Sequence, residues 1–200
     1  MIWNVPNVLT VMRLGFIPLF VIAYYLPWAY ANVLAASLFI VAAVTDWLDG
    51  YLARRLQQHS PFGEFLDPVA DKLMVAAALV MLVADPEITE KVIDARLFTI
   101  VVLVIIGREI TVSALREWMA EYGKRSRIAV SFVGKVKTSS QMLAVPFLLW
   151  RDPLWGLPVL PTGEILLYIA AGLTFWSMLT YLRIAWDDLV RPERAGDREK

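Results

Sequence analysis

Residues 46–71 read DWLDGYLARRLQQHSPFGEFLDPVAD, with Asp46, Asp49, Asp67 and Asp71 set between two long apolar runs. A carboxylate at the end of a membrane-length apolar segment is costly, and such groups are usually functional. Asp46 and Asp49 stand three apart, and Asp67 and Asp71 four apart, so each pair shares one helix face. Two helices that each present two carboxylates can build a tight oxygen cluster. Four close carboxylates do not all stay ionised without cations among them. Hard oxygen ligands select Mg2+ or Mn2+, and two such ions about 3.5–4 Å apart are the usual clamp for displacement at phosphorus. Gly50, Ala53 and Gly63 are small enough to let a ligand approach the backbone, and Arg54 is a nearby cation for a phosphate. Two helix ends carrying solvated acids would need none of these companions.

The rest of the chain says where this stretch sits. Its 200 residues are 58% hydrophobic, with no cysteine and a formal net charge of zero. Mean hydropathy is +0.58. That composition is not one of an ordinary soluble domain and predicts an all-α, polytopic membrane protein, one domain over residues 1–200. Zero net charge gives no field to draw in nucleic acid, and thiolate or disulfide chemistry is excluded. Residues 1–7 lack a basic region and a small-residue cleavage site, so the first apolar helix is expected to be retained.

Apolar runs at 14–30, 31–45, 62–84, 94–121, 132–151 and 163–188 predict six transmembrane helices. Asn7 is a candidate N-cap for the first, and Pro18 is expected to kink it. The second is expected to continue helically to about Gln57. Pro68 either lies inside the third helix or marks its start. Residues 85–91 read as a polar turn, and 191–200 as a flexible tail. Several strictly apolar segments (73–84, 97–107, 142–150) are shorter than the roughly 20 residues a bilayer core requires. Polar helix ends make up the difference, and in an alternating topology they share one side. That side is expected to hold a polar, water-filled cavity sunk into the membrane.

Charge assigns the side. Of 19 lysines and arginines, only Lys91, Arg96 and Arg151 fall on the opposite face. The positive-inside rule then predicts that the aspartates and both termini are cytoplasmic. Trp28, Trp150 and Trp155 would mark the outer interface, and Trp47, Trp118 and Trp186 the inner one. A second polar group follows on that inner side: Arg108, Glu109, Arg116, Lys135 and Lys137. Arg108 and Arg116 are eight apart, on roughly one helix face. Cations there suit an anionic second substrate, although basic residues at an inner interface also attract anionic lipid. Glu109 is expected to pair with a basic neighbour, and His59, the only histidine, to contact water or headgroups.

The string D-x2-D-G-x2-A-R-x8-G-x3-D-x3-D is filled at every fixed position, by Asp46, Asp49, Gly50, Ala53, Arg54, Gly63, Asp67 and Asp71. In this it resembles the CDP-alcohol phosphotransferase family. NVPNVLTVMR at 4–13, FLDPVADK at 65–72, REI at 108–110, LREWMAE at 115–121 and VSFVGKVKT at 130–138 resemble the bacterial members that make phosphatidylglycerophosphate. The resemblance implies transfer of a phosphatidyl group from CDP-diacylglycerol to sn-glycerol 3-phosphate, in the bacterial inner membrane, by a homodimer. It implies two ions, Mg2+ or Mn2+, on Asp46, Asp49, Asp67 and Asp71, with Asp71 as base. It also implies CDP contacts at Gly50, Ala53, Arg54 and Gly63, and acceptor contacts at Arg108, Lys135 and Lys137, with Arg116 beside them. Another acceptor (serine, inositol phosphate, phosphatidylglycerol) is the nearest rival, but an uncharged alcohol needs no converging cations. A cation transporter is the distant one, and no internal repeat supports it.

Overall fold

The computed structural model describes residues 5–56, 61–121 and 132–190, some of them by backbone alone. They form seven helices: α1 (Val5–Tyr24), α2 (Ala31–Leu56), α3 (Pro61–Ala84), α4 (Pro86–Thr89), α5 (Ala95–Glu121), α6 (Phe132–Trp150) and α7 (Val159–Val190). Among the described residues there is no β-strand, only an isolated bridge between Leu154 and Leu157. His59 and the tail from Arg191 lie outside the described residues.

The helix limits follow local chemistry and correct several expectations. α1 starts at Val5, so Asn7 sits in its first turn and is not a cap. It ends at Tyr24, short of the expected Tyr30. Pro27 is the reason: it lacks an N–H and disfavours helical backbone at Leu26. α2 runs unbroken through Asp46, Asp49 and Arg54 to Leu56. α3 opens on Pro61, where a missing N–H costs nothing, and Pro68 lies inside it. The expected turn after α3 contains the short helix α4, where the Asp85 side chain accepts a hydrogen bond from the Glu87 N–H at 2.9 Å. Asp94 does the same for Leu97 ahead of α5, at 2.7 Å. α7 begins at Val159, earlier than expected, because Pro161 is tolerated in a first turn.

Apolar side chains lie both inside and outside the bundle. Phe20, Phe39, Leu79, Leu82, Phe98, Ile105, Leu148 and Leu167 form a continuous core from α1, α2, α3, α5, α6 and α7. Leu103, Ile110, Trp176 and Ile22 are exposed on the outer surface, as a lipid solvent requires. Three helices contain windows long and apolar enough to cross a membrane: Ala31–Leu48, Ala95–Met119 and Val159–Arg183. Val8–Tyr24 and Ser139–Trp150 are shorter apolar stretches. α3 carries Asp67, Asp71 and Lys72 in its first half, and its unbroken apolar part is only 73–84.

Small residues bring the helices close. A Cβ on Gly163 of α7 would lie 2.9 Å from the Phe147 Cβ and 3.0 Å from the Leu148 nitrogen of α6. One end of the bundle is tied by polar contacts. Arg151 pairs with Asp85 at 2.6 Å and Glu87 at 2.9 Å, and its guanidinium lies 5.1 Å from the Tyr24 ring centroid. The Tyr24 hydroxyl donates to Asp85 at 2.5 Å, and Asn32 donates to the Trp150 carbonyl at 2.6 Å. Beyond α6 the chain reverses at Trp155 and Gly156, with φ of 49° and 82°, between reciprocal Leu154–Leu157 hydrogen bonds. Positive φ at both central residues is the mirror-image turn that suits such a reversal.

Candidate active site

The aspartates lie at the other end. Asn32 and Asp46 are both on α2, and the intervening turns separate them by about 21 Å. Asp46 from α2, Asp71 from α3 and Arg13 from α1 line one narrow pocket, floored by Phe39, Ala42, Met74, Val75 and Met142. Arg13 is 1% exposed, and its Nη1 donates to the Asp46 carboxylate in an ion pair. The Asp46 side chain remains 40% exposed. Asp71 sits in the combined field of Asp46, Arg13, Glu109 and Lys72. Lys72 in turn donates to the Ser113 hydroxyl of α5. Asp46 of the first pair, Asp71 of the second and α5 therefore converge on one region.

Arg108 is buried in α5. Its Nη1 donates to Glu109 at 3.1 Å and its Nη2 to the Ser177 hydroxyl of α7 at 3.2 Å. Glu109 thus has the basic neighbour expected for it. Arg116 is exposed, and its guanidinium stacks over Tyr181 of α7, 5.6 Å from the ring centroid. Gly63 is buried near the start of α3. The side-chain positions of Asp49, Gly50, Ala53, Arg54, Asp67, Lys135 and Lys137 lie outside the described residues, although their backbones are helical.

Sequence reasoning counted Arg13 as a topological charge and as part of the NVPNVLTVMR stretch but gave it no partner, and it gave Ser113, Ser177 and Tyr181 no role. Arg13 had a legible signal: Thr10, Arg13, Phe20 and Tyr24 repeat at helical spacing, and all four are buried. Ser177 and Tyr181 carry no comparable mark, standing among isolated hydroxyls in a largely apolar stretch of α7.

The donor chemistry suits a hard cation. Two carboxylates from separate helices face one pocket, and the motif adds two more at positions whose side chains are not described. Among the described residues alone, no three ligand-type side chains cluster. A second cavity, of about 530 Å³, opens between α2 and α6 and is lined by Ile40, Ala43, Val44, Trp47, Leu143, Pro146 and Phe147. Its lining is apolar except for Asp46, which both cavities share. A third cavity, of about 510 Å³, lies at the Arg151 end and holds none of the motif residues.

Comparison with known proteins decides the family. The family model for CDP-alcohol phosphatidyltransferase matches residues 3–176. The chain belongs to this family. A CDP-diacylglycerol–glycerol-3-phosphate 3-phosphatidyltransferase of Pectobacterium atrosepticum is 52% identical over 190 residues, covering 95% of this chain and 99% of the relative. Relatives of the same name from Salmonella typhimurium strain LT2 and Yersinia enterocolitica are each 50% identical, over 94% of this chain and 98% of theirs. A CDP-alcohol phosphatidyltransferase needs a polar site for a nucleotide headgroup beside an apolar surface for a lipid. The Arg13–Asp46–Asp71 pocket, of only about 10 Å³, and the α2–α6 cavity stand side by side, a charged group next to an apolar opening.

Proposed function

We propose that this CDP-alcohol phosphatidyltransferase moves the phosphatidyl group of CDP-diacylglycerol to sn-glycerol 3-phosphate, giving phosphatidylglycerophosphate and CMP. The observation that carries it is the near full-length identity to relatives named for that reaction. The convergence of motif carboxylates with Arg108 and Glu109 of α5 supports it.

In this reading Asp71 accepts the proton of the acceptor hydroxyl. The hydroxyl oxygen forms a bond to the phosphatidyl phosphorus, and the bond from that phosphorus to the bridging oxygen of CMP breaks. Asp46, Asp49, Asp67 and Asp71 would hold two divalent ions, Mg2+ or Mn2+, whose positive charge would offset that of the pyrophosphate and of departing CMP. Arg13 fixes the Asp46 carboxylate. Gly50, Ala53, Arg54 and Gly63 receive the CDP moiety, and Arg108, Lys135 and Lys137, with Arg116, receive the glycerol phosphate. The acyl chains lie against the α2–α6 opening. The catalytic unit comprises the whole chain and crosses the bacterial inner membrane six times, as a homodimer. Its aspartates and both termini face the cytoplasm, supported by the skewed distribution of basic residues.

The test is product identification in proteoliposomes. CMP and phosphatidylglycerophosphate should form from CDP-diacylglycerol only when sn-glycerol 3-phosphate is added. Excess EDTA should stop the reaction, and Mg2+ or Mn2+ should restore it. Equal CMP release with serine or inositol phosphate, or full activity in EDTA, would overturn the reading.

A further inference from the structure

The two arginines assigned to the acceptor do not stand alone: both are held by α7. Arg108 and Arg116 lie eight residues apart on α5, a rise of about 12 Å. Ser177 and Tyr181 lie four apart on α7, on one face. Arg108 meets Ser177 and Arg116 meets Tyr181. Val112, Leu115, Met119 and Tyr181 pack along the same seam as a small apolar cluster. The seam between α5 and α7 therefore has a fixed register, with a cation pinned at each level.

The two levels differ. Arg108 is 7% exposed, deep in the bundle. A buried guanidinium must have its hydrogen bonds directed, or desolvation makes it unfavourable. The Ser177 hydroxyl is suited to this. It donates to the Thr174 carbonyl at 2.9 Å, so its lone pairs are left to accept from Arg108. Ser177 is itself 4% exposed and cannot turn to water. The Arg108 Nε is buried and has no hydrogen-bond partner among the described residues. Arg116 is exposed nearer the cytoplasmic end of α5, and the Tyr181 ring holds its planar face without engaging its N–H groups.

We propose that α7 supplies the positioning residues of the acceptor pocket: Ser177 fixes the Arg108 guanidinium and Tyr181 that of Arg116, so that an anionic alcohol is drawn in at Arg116 and held at Arg108. This rests on the reaction proposed above and adds a helix to it. A guanidinium already oriented loses less freedom when a phosphate binds, so the contribution falls on acceptor affinity.

The experiment is steady-state kinetics in proteoliposomes, varying sn-glycerol 3-phosphate and CDP-diacylglycerol separately. Ser177→Ala should raise the KM for glycerol phosphate about tenfold, the loss expected for a hydrogen bond to a charged group. Its kcat and its KM for the CDP-lipid should stay within about twofold. Tyr181→Leu should raise the same KM about threefold, and Tyr181→Phe, which keeps the ring, should not. If Ser177→Ala yields little folded protein, Ser177→Cys reads the same contact, because a thiol is a weaker acceptor of similar size. Parallel increases in both KM values, or an unchanged acceptor KM in folded variants, would overturn the role of α7 and leave the reaction standing. Absence of glycerol-phosphate-dependent CMP release by the wild type would instead remove the reaction, and the acceptor pocket with it.

Discussion

Asp46 and Asp71 face one pocket in different company. Asp46 is engaged by the buried Arg13, whereas Asp71 lies among charges of both signs from four helices, α1, α2, α3 and α5. That difference suits the roles proposed for them, a fixed ligand at Asp46 and a proton acceptor at Asp71. Asp71→Asn should cut turnover by about 10²–10⁴, the usual contribution of a general base, while retaining part of the CDP-lipid affinity. CMP release and direct lipid binding, measured on the same preparation, check this; a near-normal rate would remove Asp71 as base. Arg13→Ala should destabilise the protein by about 2–3 kcal/mol, less than for a fully buried pair because the Asp46 side chain is 40% exposed. Thermal unfolding in detergent reads it, and Arg13→Lys should recover part. The motif residues were legible because their spacing is chemical: carboxylates at three and four residues share a face whatever surrounds them. Their partners were not, since Arg13–Asp46 and Arg108–Ser177 join residues 33 and 69 apart in sequence.

Among elements, the α6–α7 contact is the most demanding. The backbone and Cβ atoms of Phe147 and Leu148 leave no room for a side chain at Gly163. Gly163→Ala should therefore destabilise by about 1–3 kcal/mol through forced displacement of α6, measurable as a lower melting temperature. At the opposite end, Arg151 ties α1, the start of α4 and the end of α6 while holding φ of 65°, a conformation unfavourable for a non-glycine residue. Arg151→Ala should lower thermal stability and leave both substrate KM values within about twofold, because the site lies some 20 Å away along α2. A selective change in one KM would instead connect that end to the site. The apolar runs marked six of the seven helices, with the short α4 hidden in what read as a polar turn, and the passage of α2 through the aspartates was legible too. The exact ends were not: Pro27 stops α1 early, whereas Pro161 and Pro68 are accommodated, and proline alone does not announce which will occur.

For the whole molecule, the skewed distribution of basic residues makes a directional prediction. Reporters fused after Lys200 should be active only in the cytoplasm, and one inserted at Trp155 only outside; the reverse pattern would invert the proposed topology. Membrane character was evident in composition, while the polar and apolar cavities emerge only when α2, α3 and α6 are assembled. Their common wall, Ala43, Asp46 and Met142, has a kinetic meaning. An amphiphile can present its head to water and its tails to oil across so thin a wall, so it need never be lifted out of its leaflet. Encounter then takes place in two dimensions. The rate should follow the mole fraction of CDP-diacylglycerol in the bilayer and not its amount per volume. Diluting the vesicles with inert phospholipid at constant total donor should slow turnover, whereas adding buffer should not.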